Sequence, residues 1–267
     1  MKEAWEDAYT MLRFERRGRI LTIVLDDPER LNAVNPAMHH ELARVFLDAA
    51  DDAGSDIIVL TGAGRAFSAG GDLVRMKEVA RAPATFLSDL PSAKRVIFSL
   101  LDLEKPIVAR INGPAVGLGA TLALCCDVSF MADTAKIGDP HVAAGLVAGD
   151  GGAAIWPQLV GFARAKEYLM TGDLLDGSTA EKIGLVNHCV PAGELDQHVD
   201  AFCDRLAAGA TRAIRWTKTV ANAELKRIAG AALDAGLAYE ALSVHSKDHG
   251  EAVDAFLEKR RPNFTGE

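Results

Sequence analysis

The sequence predicts an α/β fold followed by a helical C-terminal segment, and three observations support this. Apolar strand-like runs alternate with glycine-rich turns and helix-like periods through most of the chain. From about residue 192 onward only helical periods remain. With 267 residues, 49% of them apolar, the chain can bury a substantial core. We therefore expect a core at residues 1–191 and a helical oligomerisation segment at residues 192–267.

The first elements can be read from their residue patterns. Arg19–Leu25 is rich in branched residues, which predicts a strand. Pro36–Ala53 carries apolar residues at helical spacing, which predicts an amphipathic helix. The strand Ile57–Leu60 leads into a glycine-rich turn. Arg75–Ser88 has no clear period, so we expect either a mobile segment beside a site or an ordinary surface connection.

The next elements repeat the same order. A helix is predicted over Ser92–Leu103, and the strand Ile107–Ile111 precedes a second glycine-rich turn. Ala120–Cys126 is almost wholly apolar and predicts a buried helix. Val128–Met131 and Ala135–Gly138 predict short strands. Four helices are predicted in the C-terminal segment: Glu194–Ala208, Thr211–Ala229, Ala231–Val244 and Glu251–Arg260.

Composition excludes several classes of function. The chain has 29 basic and 37 acidic residues, and a net charge of −8 opposes binding to nucleic acid or to an anionic membrane. Its four cysteines form no Cys-x-x-Cys pair, which favours buried thiols in a reducing compartment. Met1–Thr10 has no signal core, and no apolar run has spanning length, so we expect a cytoplasmic protein. No P-loop, dinucleotide fingerprint or metal-ligand spacing is present, so no nucleotide or metal cofactor is predicted.

Two glycine turns are the most informative motifs. Arg65-Ala-Phe-Ser-Ala-Gly-Gly-Asp-Leu73 and Asn112-Gly-Pro-Ala-Val-Gly-Leu-Gly119 each follow a strand-like run and open a helix-like one. Backbone N–H groups at a helix start lack intrahelical partners and lie at the positive end of the helix dipole. One donor from each turn would form an oxyanion hole. The alternative is that the glycines only make turns.

These segments resemble the crotonase superfamily of enoyl-CoA hydratase/isomerase proteins, from about Phe14 to Phe264. The resemblance implies a spiral of β-β-α units, assembled as a homotrimer or a dimer of trimers. It also implies that the N–H groups of Gly71 and Leu118 form the oxyanion hole. Four further segments match the family: Glu29-Arg-Leu-Asn-Ala-Val-Asn35, Leu169-Met-Thr-Gly-Asp173, Ala180-Glu-Lys-Ile-Gly-Leu-Val-Asn187 and Ala255-Phe-Leu-Glu-Lys-Arg-Arg261.

The same resemblance implies a binding site for coenzyme A as part of the substrate. Its adenine would lie near the backbone of Ala66, Ser68 and Ala69. Arg30 and Lys259 would meet its phosphates, the latter from a neighbouring subunit. The alternative for both basic residues is a solvated surface charge.

The chain departs from the family at the two positions that carry catalytic glutamates in a typical hydratase. Matched by position, these fall on Thr121 and His141. A threonine hydroxyl is a poor general base, so hydration by paired carboxylates is not supported. Asp150 follows His141 by nine residues, and a histidine oriented by a carboxylate can activate water near neutral pH. This pattern, with Glu240 as a further polar pocket residue, resembles the 6-oxocamphor hydrolase (β-diketone hydrolase) branch of the superfamily.

Each of these residues also has a structural interpretation. Asp150 would cap a helix beginning near Gly151, His141 would be a loop residue bonded to backbone, and Glu240 would be an exposed helix position. Three functions follow from the alternatives. The first is an enzyme acting on an acyl-CoA thioester, with His141 and Asp150 replacing the glutamate pair. The second is a CoA-independent carbon–carbon hydrolase working by retro-Claisen cleavage, and the third is a non-catalytic oligomeric scaffold.

Overall fold

The computed structural model describes residues 3–267, so the first two residues of the predicted core lie outside it. Its centre is a six-stranded sheet, in which β1 is antiparallel to β2 and all other neighbours are parallel. Strands are numbered in chain order, and their spatial order in this sheet is β1 (Leu12–Arg17), β2 (Ile20–Leu25), β3 (Ile57–Gly62), β4 (Ile107–Ile111), β6 (Val128–Ala132) and β9 (His188–Val190). Parallel strands are covered on both faces, and every residue of β3 is buried accordingly.

A second, three-stranded sheet lies beside the first. It contains β5 (Ala115–Val116), β7 (Lys136–Gly138) and β8 (Leu175–Asp176), with β7 in the middle. The chain runs from β4 to β5 and from β6 to β7, and so passes repeatedly from the large sheet to the small one. A helix follows each passage, which is the β-β-α succession expected from the sequence.

Helices cover the sheets and form the C-terminal segment. In the described residues they are α1 (Pro36–Asp51), α2 (Leu73–Arg81), α3 (Leu90–Asp102), α4 (Leu118–Leu124), α5 (Gly152–Thr171), α6 (Gly177–Lys182), α7 (Leu195–Ala207), α8 (Thr211–Ser243) and α9 (Lys247–Leu257). Side-chain caps fix several of their starts. The side chain of Asn35, for example, accepts a hydrogen bond from the N–H of Met38 at 2.9 Å.

One hydrophobic cluster joins the sheets to the C-terminal helices. It contains strand residues such as Ile58 and Ile107 together with Leu195, Leu233 and Leu237 from α7 and α8. Each fully buried aliphatic side chain contributes roughly 1.5–3 kcal/mol relative to exposure. The segment 192–267 is therefore anchored to the core by apolar contacts. Its predicted role in oligomerisation stays a prediction.

The structure corrects two predictions about helices. Residues 211–243 form a single helix, whereas the sequence suggested a break at Gly230. One glycine costs a helix only about 1 kcal/mol, and tertiary packing offsets this. Residues 75–88, expected to lack regular structure, instead belong to α2 and to a 3₁₀ turn at Pro83–Ser88. Asp72 caps α2 by accepting a hydrogen bond from the N–H of Val74.

Other elements escaped the sequence analysis or were placed inaccurately. Helix α9 begins at Lys247 rather than Glu251, because Ser246 caps it by accepting a hydrogen bond from the N–H of His249 at 3.1 Å. A helix beginning near Gly151 was predicted only as an alternative role for Asp150. The full extent of α5 was not predicted, since Pro157 lies inside it and a kink at Gly161 interrupts its helical spacing. Among residues 3–267, no helix is both long and apolar enough to cross a membrane.

Candidate active site

The first glycine turn, residues 68–72, is held by hydrogen bonds inside the protein. The hydroxyl of Ser68 donates to the carbonyl of Asn32 at 2.8 Å and accepts from the N–H of Gly70 at 3.2 Å. Gly70 has a φ of +85°, a conformation that favours glycine. Asp72 then caps α2 through the N–H of Val74 at 2.6 Å. Within the described chain, the N–H of Gly71 has no hydrogen-bond partner.

The second glycine turn, residues 117–119, is built in the same way. Gly117 has a φ of +54° and donates its N–H to the carbonyl of Gly138 at 3.0 Å. Leu118 is the first residue of α4, and its N–H has no partner among residues 3–267. Such a group lies at the positive end of the helix dipole and is available to a negative oxygen.

Both turns open into one cavity of about 430 Å³, which Gly71 and Leu118 line. They are tied together by a hydrogen bond from the N–H of Val116 to the carbonyl of Ser68 at 2.9 Å. The cavity also brings in His141, Asp150 and Glu240. Five residues predicted from separate parts of the sequence therefore line the same space.

His141 lies between two carboxylates. Its Nδ1 is hydrogen-bonded to Oδ1 of Asp139, and its Nε2 is 3.5 Å from Oδ2 of Asp150. Burial disfavours the charged ring, but the negative charges of Asp150 and Asp139 outweigh this and raise the pKa of His141 well above its ordinary value. The two carboxylates therefore favour the charged form of the ring. The alternative that it bonds only to backbone is wrong.

Asp150 is not a helix cap, contrary to one interpretation of the sequence. Helix α5 is capped by Gly151, and no side chain makes a capping hydrogen bond there. The adjoining backbone is instead packed closely against its surroundings. A Cβ on Gly149 would lie 2.3 Å from the carbonyl oxygen of Gly236 in α8, and one on Gly152 would lie 1.8 Å from the carboxylate of Asp139. Glycine at both positions lets these segments meet.

Glu240 is buried in the same wall of the cavity, although an exposed position was the alternative. Only 5% of the residue is exposed, and its Oε2 has no hydrogen-bond partner in the described structure. Burial and the charge of Asp150 raise its pKa to about 8, against the opposing charge of His141. Glu240 is therefore largely protonated at neutral pH. We call Asp139, His141, Asp150 and Glu240 the acidic wall.

Asp139 is the member of this wall that the sequence analysis missed. It stands two residues before His141, separated from it by a single proline. The Gly138-Asp-Pro-His141 motif could have indicated this role, since a short turn at the proline brings the side chains of Asp139 and His141 together. His39, His249 and Arg75 also line the cavity and were not predicted to.

Two predicted substrate residues lie outside the cavity lining. Thr121 is fully buried, its Oγ1 has no partner, and its methyl group lies where a side chain on Gly151 would be. Ser68 is also fully buried and uses its hydroxyl to shape the first glycine turn. Neither side chain is placed to contact a ligand in that cavity.

The other predicted CoA residues are also absent from the cavity lining. Ala66 is buried, and its carbonyl accepts a hydrogen bond from the side chain of Asn32 at 2.9 Å. The N–H of Ala69 donates to the carbonyl of Leu31 at 2.9 Å. Their contact with adenine stays a prediction.

The two basic residues predicted to meet CoA phosphates lie on the surface. Arg30 has 61% of its side chain exposed and lies 3.8 Å from a carboxylate oxygen of Asp72. Lys259 is exposed just after α9. Both side chains are accessible to an anion, and their phosphate contacts stay predictions.

Asp139, His141 and Asp150 also offer metal-ligand atoms within 4.8 Å of one another. Each ring nitrogen of His141 already faces a carboxylate, however, so hydrogen bonding accounts for the cluster without an ion.

An α/β fold with two free N–H groups beside titratable side chains in one cavity is typical of enzymes that stabilise an oxyanion. Residues 15–267 match the enoyl-CoA hydratase/isomerase family. The chain belongs to this family, and its fold is the α/β crotonase fold with mixed sheets and a C-terminal helical region.

Individual relatives are similar to this chain over nearly its whole length. It is 34% identical to the protein named probable enoyl-CoA hydratase echA8 of Mycobacterium bovis, across 96% of this chain and 98% of that one. It is 32% identical to crotonyl-CoA hydratase of Syntrophomonas wolfei, with the same coverage. A solved enoyl-CoA hydratase/isomerase from Mycobacterium paratuberculosis superposes with a TM-score of 0.87 at 35% identity, over 92% of this chain and 98% of that one.

Proposed function

We propose that the protein acts on an acyl-CoA thioester and stabilises an enolate of that substrate with the N–H groups of Gly71 and Leu118. One observation carries the proposal: two N–H groups without partners line the same cavity as His141 and Asp150. The thioester carbonyl oxygen gains negative charge as the enolate forms, and two preorganised donors lower the barrier to that step. The names of the relatives support the class of substrate.

The acidic wall would carry the proton transfers. Asp150 and His141 lie 3.5 Å apart and both line the cavity. The Asp150 carboxylate can accept a proton from the substrate or from a water molecule. The charged ring of His141 can return one to the enolate carbon. This base and acid would replace the glutamate pair of a typical hydratase.

Asp139 would act as a positioning residue. Its hydrogen bond to Nδ1 fixes the orientation of the His141 ring and leaves Nε2 directed toward Asp150. The sequence analysis gave this orienting role to Asp150. In the present proposal Asp139 holds the ring, and Asp150 faces the reactants.

Coenzyme A would enter as part of the substrate, and no separate cofactor is required by these steps. Its phosphates are anionic, and Arg30 offers an exposed guanidinium beside the first glycine turn. Lys259 would contribute from a neighbouring subunit if the protein assembles as a homotrimer or a dimer of trimers. A titration of CoA against Arg30→Ala and Lys259→Ala at several protein concentrations would test both ideas.

The test of the function is a substrate panel. Purified protein is incubated with enoyl-CoAs, β-ketoacyl-CoAs and cyclic β-diketones, and products are identified by mass. We expect turnover of a CoA thioester, with hydration of crotonyl-CoA at least about 10²-fold slower than by a hydratase that retains both glutamates. Hydration at a comparable rate would show that the base has been misassigned, or that His141 alone suffices in place of the two glutamates.

A second candidate is the CoA-independent carbon–carbon hydrolase. One observation favours it: Glu240 is buried and largely protonated beside Asp150, so it could donate a hydrogen bond to a second carbonyl oxygen of a β-diketone. The same panel separates the two functions. Cleavage of a free cyclic β-diketone, with every CoA thioester inert, would replace the acyl-CoA proposal, and an inert protein would favour the non-catalytic scaffold.

A further inference from the structure

His249 is a buried histidine in the cavity wall with no part in the chemistry proposed above. It lies in the first turn of α9, is 1% exposed, and lines the same cavity as Gly71 and Leu118. Its Nδ1 is 2.8 Å from the carbonyl oxygen of Ala144. Since a carbonyl can only accept, Nδ1 must carry the proton and Nε2 must present a lone pair.

This lone pair has no partner. The Nε2 atom has almost no area open to water and makes no hydrogen bond within residues 3–267. Burial lowers the pKa of His249, against the effect of its bond to Ala144, so the ring is neutral at pH 7. A buried acceptor without a donor is costly in free energy, because it has given up its hydrogen bond to water. A donor delivered through the cavity would recover that cost.

The surroundings of His249 are apolar. A small hydrophobic cluster, separate from the main core, contains Val79, Leu146 and Val244, with Phe86 and Ala144 packed against it. All but Ala144 line the cavity. Such walls suit the hydrocarbon part of a substrate, and His249 adds a hydrogen-bond acceptor beside them.

Helix α8 runs along the cavity and shows where His249 lies relative to the acidic wall. Leu237, Glu240 and Val244 line it at spacings of three and four, which places them on one face of the helix. Val244 lies one turn beyond Glu240, about 6 Å along the axis. The chain then turns into α9, which carries His249. This acceptor is therefore displaced from the acidic wall, toward the end of α8.

We propose that His249 recognises a hydroxyl or N–H group on the acyl portion of the substrate, so that the preferred acyl chain is apolar with one hydrogen-bond donor away from the thioester. The inference rests on the proposed acyl-CoA function and adds its substrate class. A site built around a buried acceptor discriminates against analogues without the donor, because the acceptor is then left unpaired.

The test uses saturated acyl-CoAs, which bind without reacting. Dissociation constants are measured by calorimetry for butanoyl- to octanoyl-CoA, together with the ω-hydroxy and ω-methoxy derivative of each. At the best-fitting length, we expect the hydroxy derivative to bind about tenfold more tightly than the plain chain. The methoxy derivative accepts but cannot donate, so it should gain nothing.

Two variants locate the effect. In His249→Asn the side-chain amide can keep the bond to Ala144 while the Nε2 acceptor is lost, so the preference for the hydroxyl should disappear. His245→Asn is the matched control, since His245 is exposed at the end of α8 and does not line the cavity. It should retain the tenfold preference. If His249→Asn does not fold, the hydroxy–methoxy comparison in the unmodified protein still decides.

The outcomes separate the two proposals. If the plain, hydroxy and methoxy chains bind equally at every length, the acyl-CoA function stands and the role of His249 is overturned. A hydroxyl preference that persists in His249→Asn also overturns it. If no acyl-CoA binds, the proposed function is wrong and this inference is lost with it.

Discussion

The two glycine turns and the acidic wall line one cavity but are built by different means. The turns present backbone N–H groups, and local hydrogen bonds such as that from Ser68 to Asn32 hold them in place. The wall consists of side chains from separate segments: His141, Asp150 and Glu240 line the cavity, and Asp139, which does not, is hydrogen-bonded to His141. Side-chain replacement is therefore tolerated where the backbone acts, as with Leu118, whereas every member of the wall depends on its own functional group.

The largest effect is expected in the acidic wall. Asp150→Asn keeps the size of the side chain but removes the proposed base, so kcat should fall by about 10²–10⁴ while KM changes little. His141→Ala should cost at least as much. The double variant should be little worse than the poorer single one, since residues acting as a unit are not additive. Steady-state kinetics on the substrate found by the panel would measure all three.

Asp139→Asn provides the matched control for this experiment. It should lower the pKa of His141, because one of two neighbouring negative charges is removed. An NMR titration of the ring protons measures that shift independently of activity. Turnover near the wild-type value in folded Asp150→Asn would remove Asp150 from the mechanism.

In the glycine turns, activity should depend on the backbone N–H groups rather than on the side chains. Gly71→Pro deletes one N–H donor and should reduce kcat by about 10²–10³. Gly71→Ala keeps the donor, and its new Cβ would meet only the end of the Met76 side chain at 2.9 Å, so it should retain most activity. Circular dichroism would check that both variants fold. Equal losses in the two would mean that shape, rather than the donor, matters at this position.

The smallest effect concerns stability and pH. The pKa of Glu240 is raised from 4.5 to about 8 on folding, so its contribution to the free energy of unfolding is fully present below the unfolded pKa. That contribution is lost as pH rises toward the folded pKa. Glu240→Gln has no such titration. Its Tm relative to wild type should therefore increase by about 3 °C or more between pH 5 and pH 8.

Thermal unfolding at a series of pH values tests this, with Glu224→Gln as an exposed control on the same helix. A Tm difference that stays constant across the series would show that Glu240 ionises as readily in the folded chain as in the unfolded one.

The sequence predicted the parts of the molecule whose signals are local. Strands such as Ile57–Leu60 and Ile107–Ile111 follow from runs of branched apolar residues, and their observed ends differ by no more than two residues. The glycine turns were equally visible, because the residues that shape them are close in sequence. The family resemblance pointed to Gly71 and Leu118 as the oxyanion-hole donors. Neither N–H group has a partner among residues 3–267, and their role stays a prediction.

What the sequence could not show depends on contacts between distant segments. Gly230 predicted a helix break, but packing keeps α8 continuous. For Glu240 the sequence left a pocket position and an exposed helix position open. Its burial goes with the close approach of Gly149 to Gly236, a contact between distant segments. The role of Asp139 depends on its distance to one ring nitrogen, which spacing along the chain does not give.

The contact between Gly149 and Gly236 joins segments that are synthesised at different times. Both glycine turns and three members of the acidic wall precede residue 151, whereas Glu240 follows Asp150 by 90 residues. Chains emerge from the ribosome N-terminus first, at roughly 5–20 residues per second. The nascent chain therefore carries both glycine turns seconds before α8 is synthesised. The cavity wall that contains Glu240 can form only after residues 211–243 have left the ribosome.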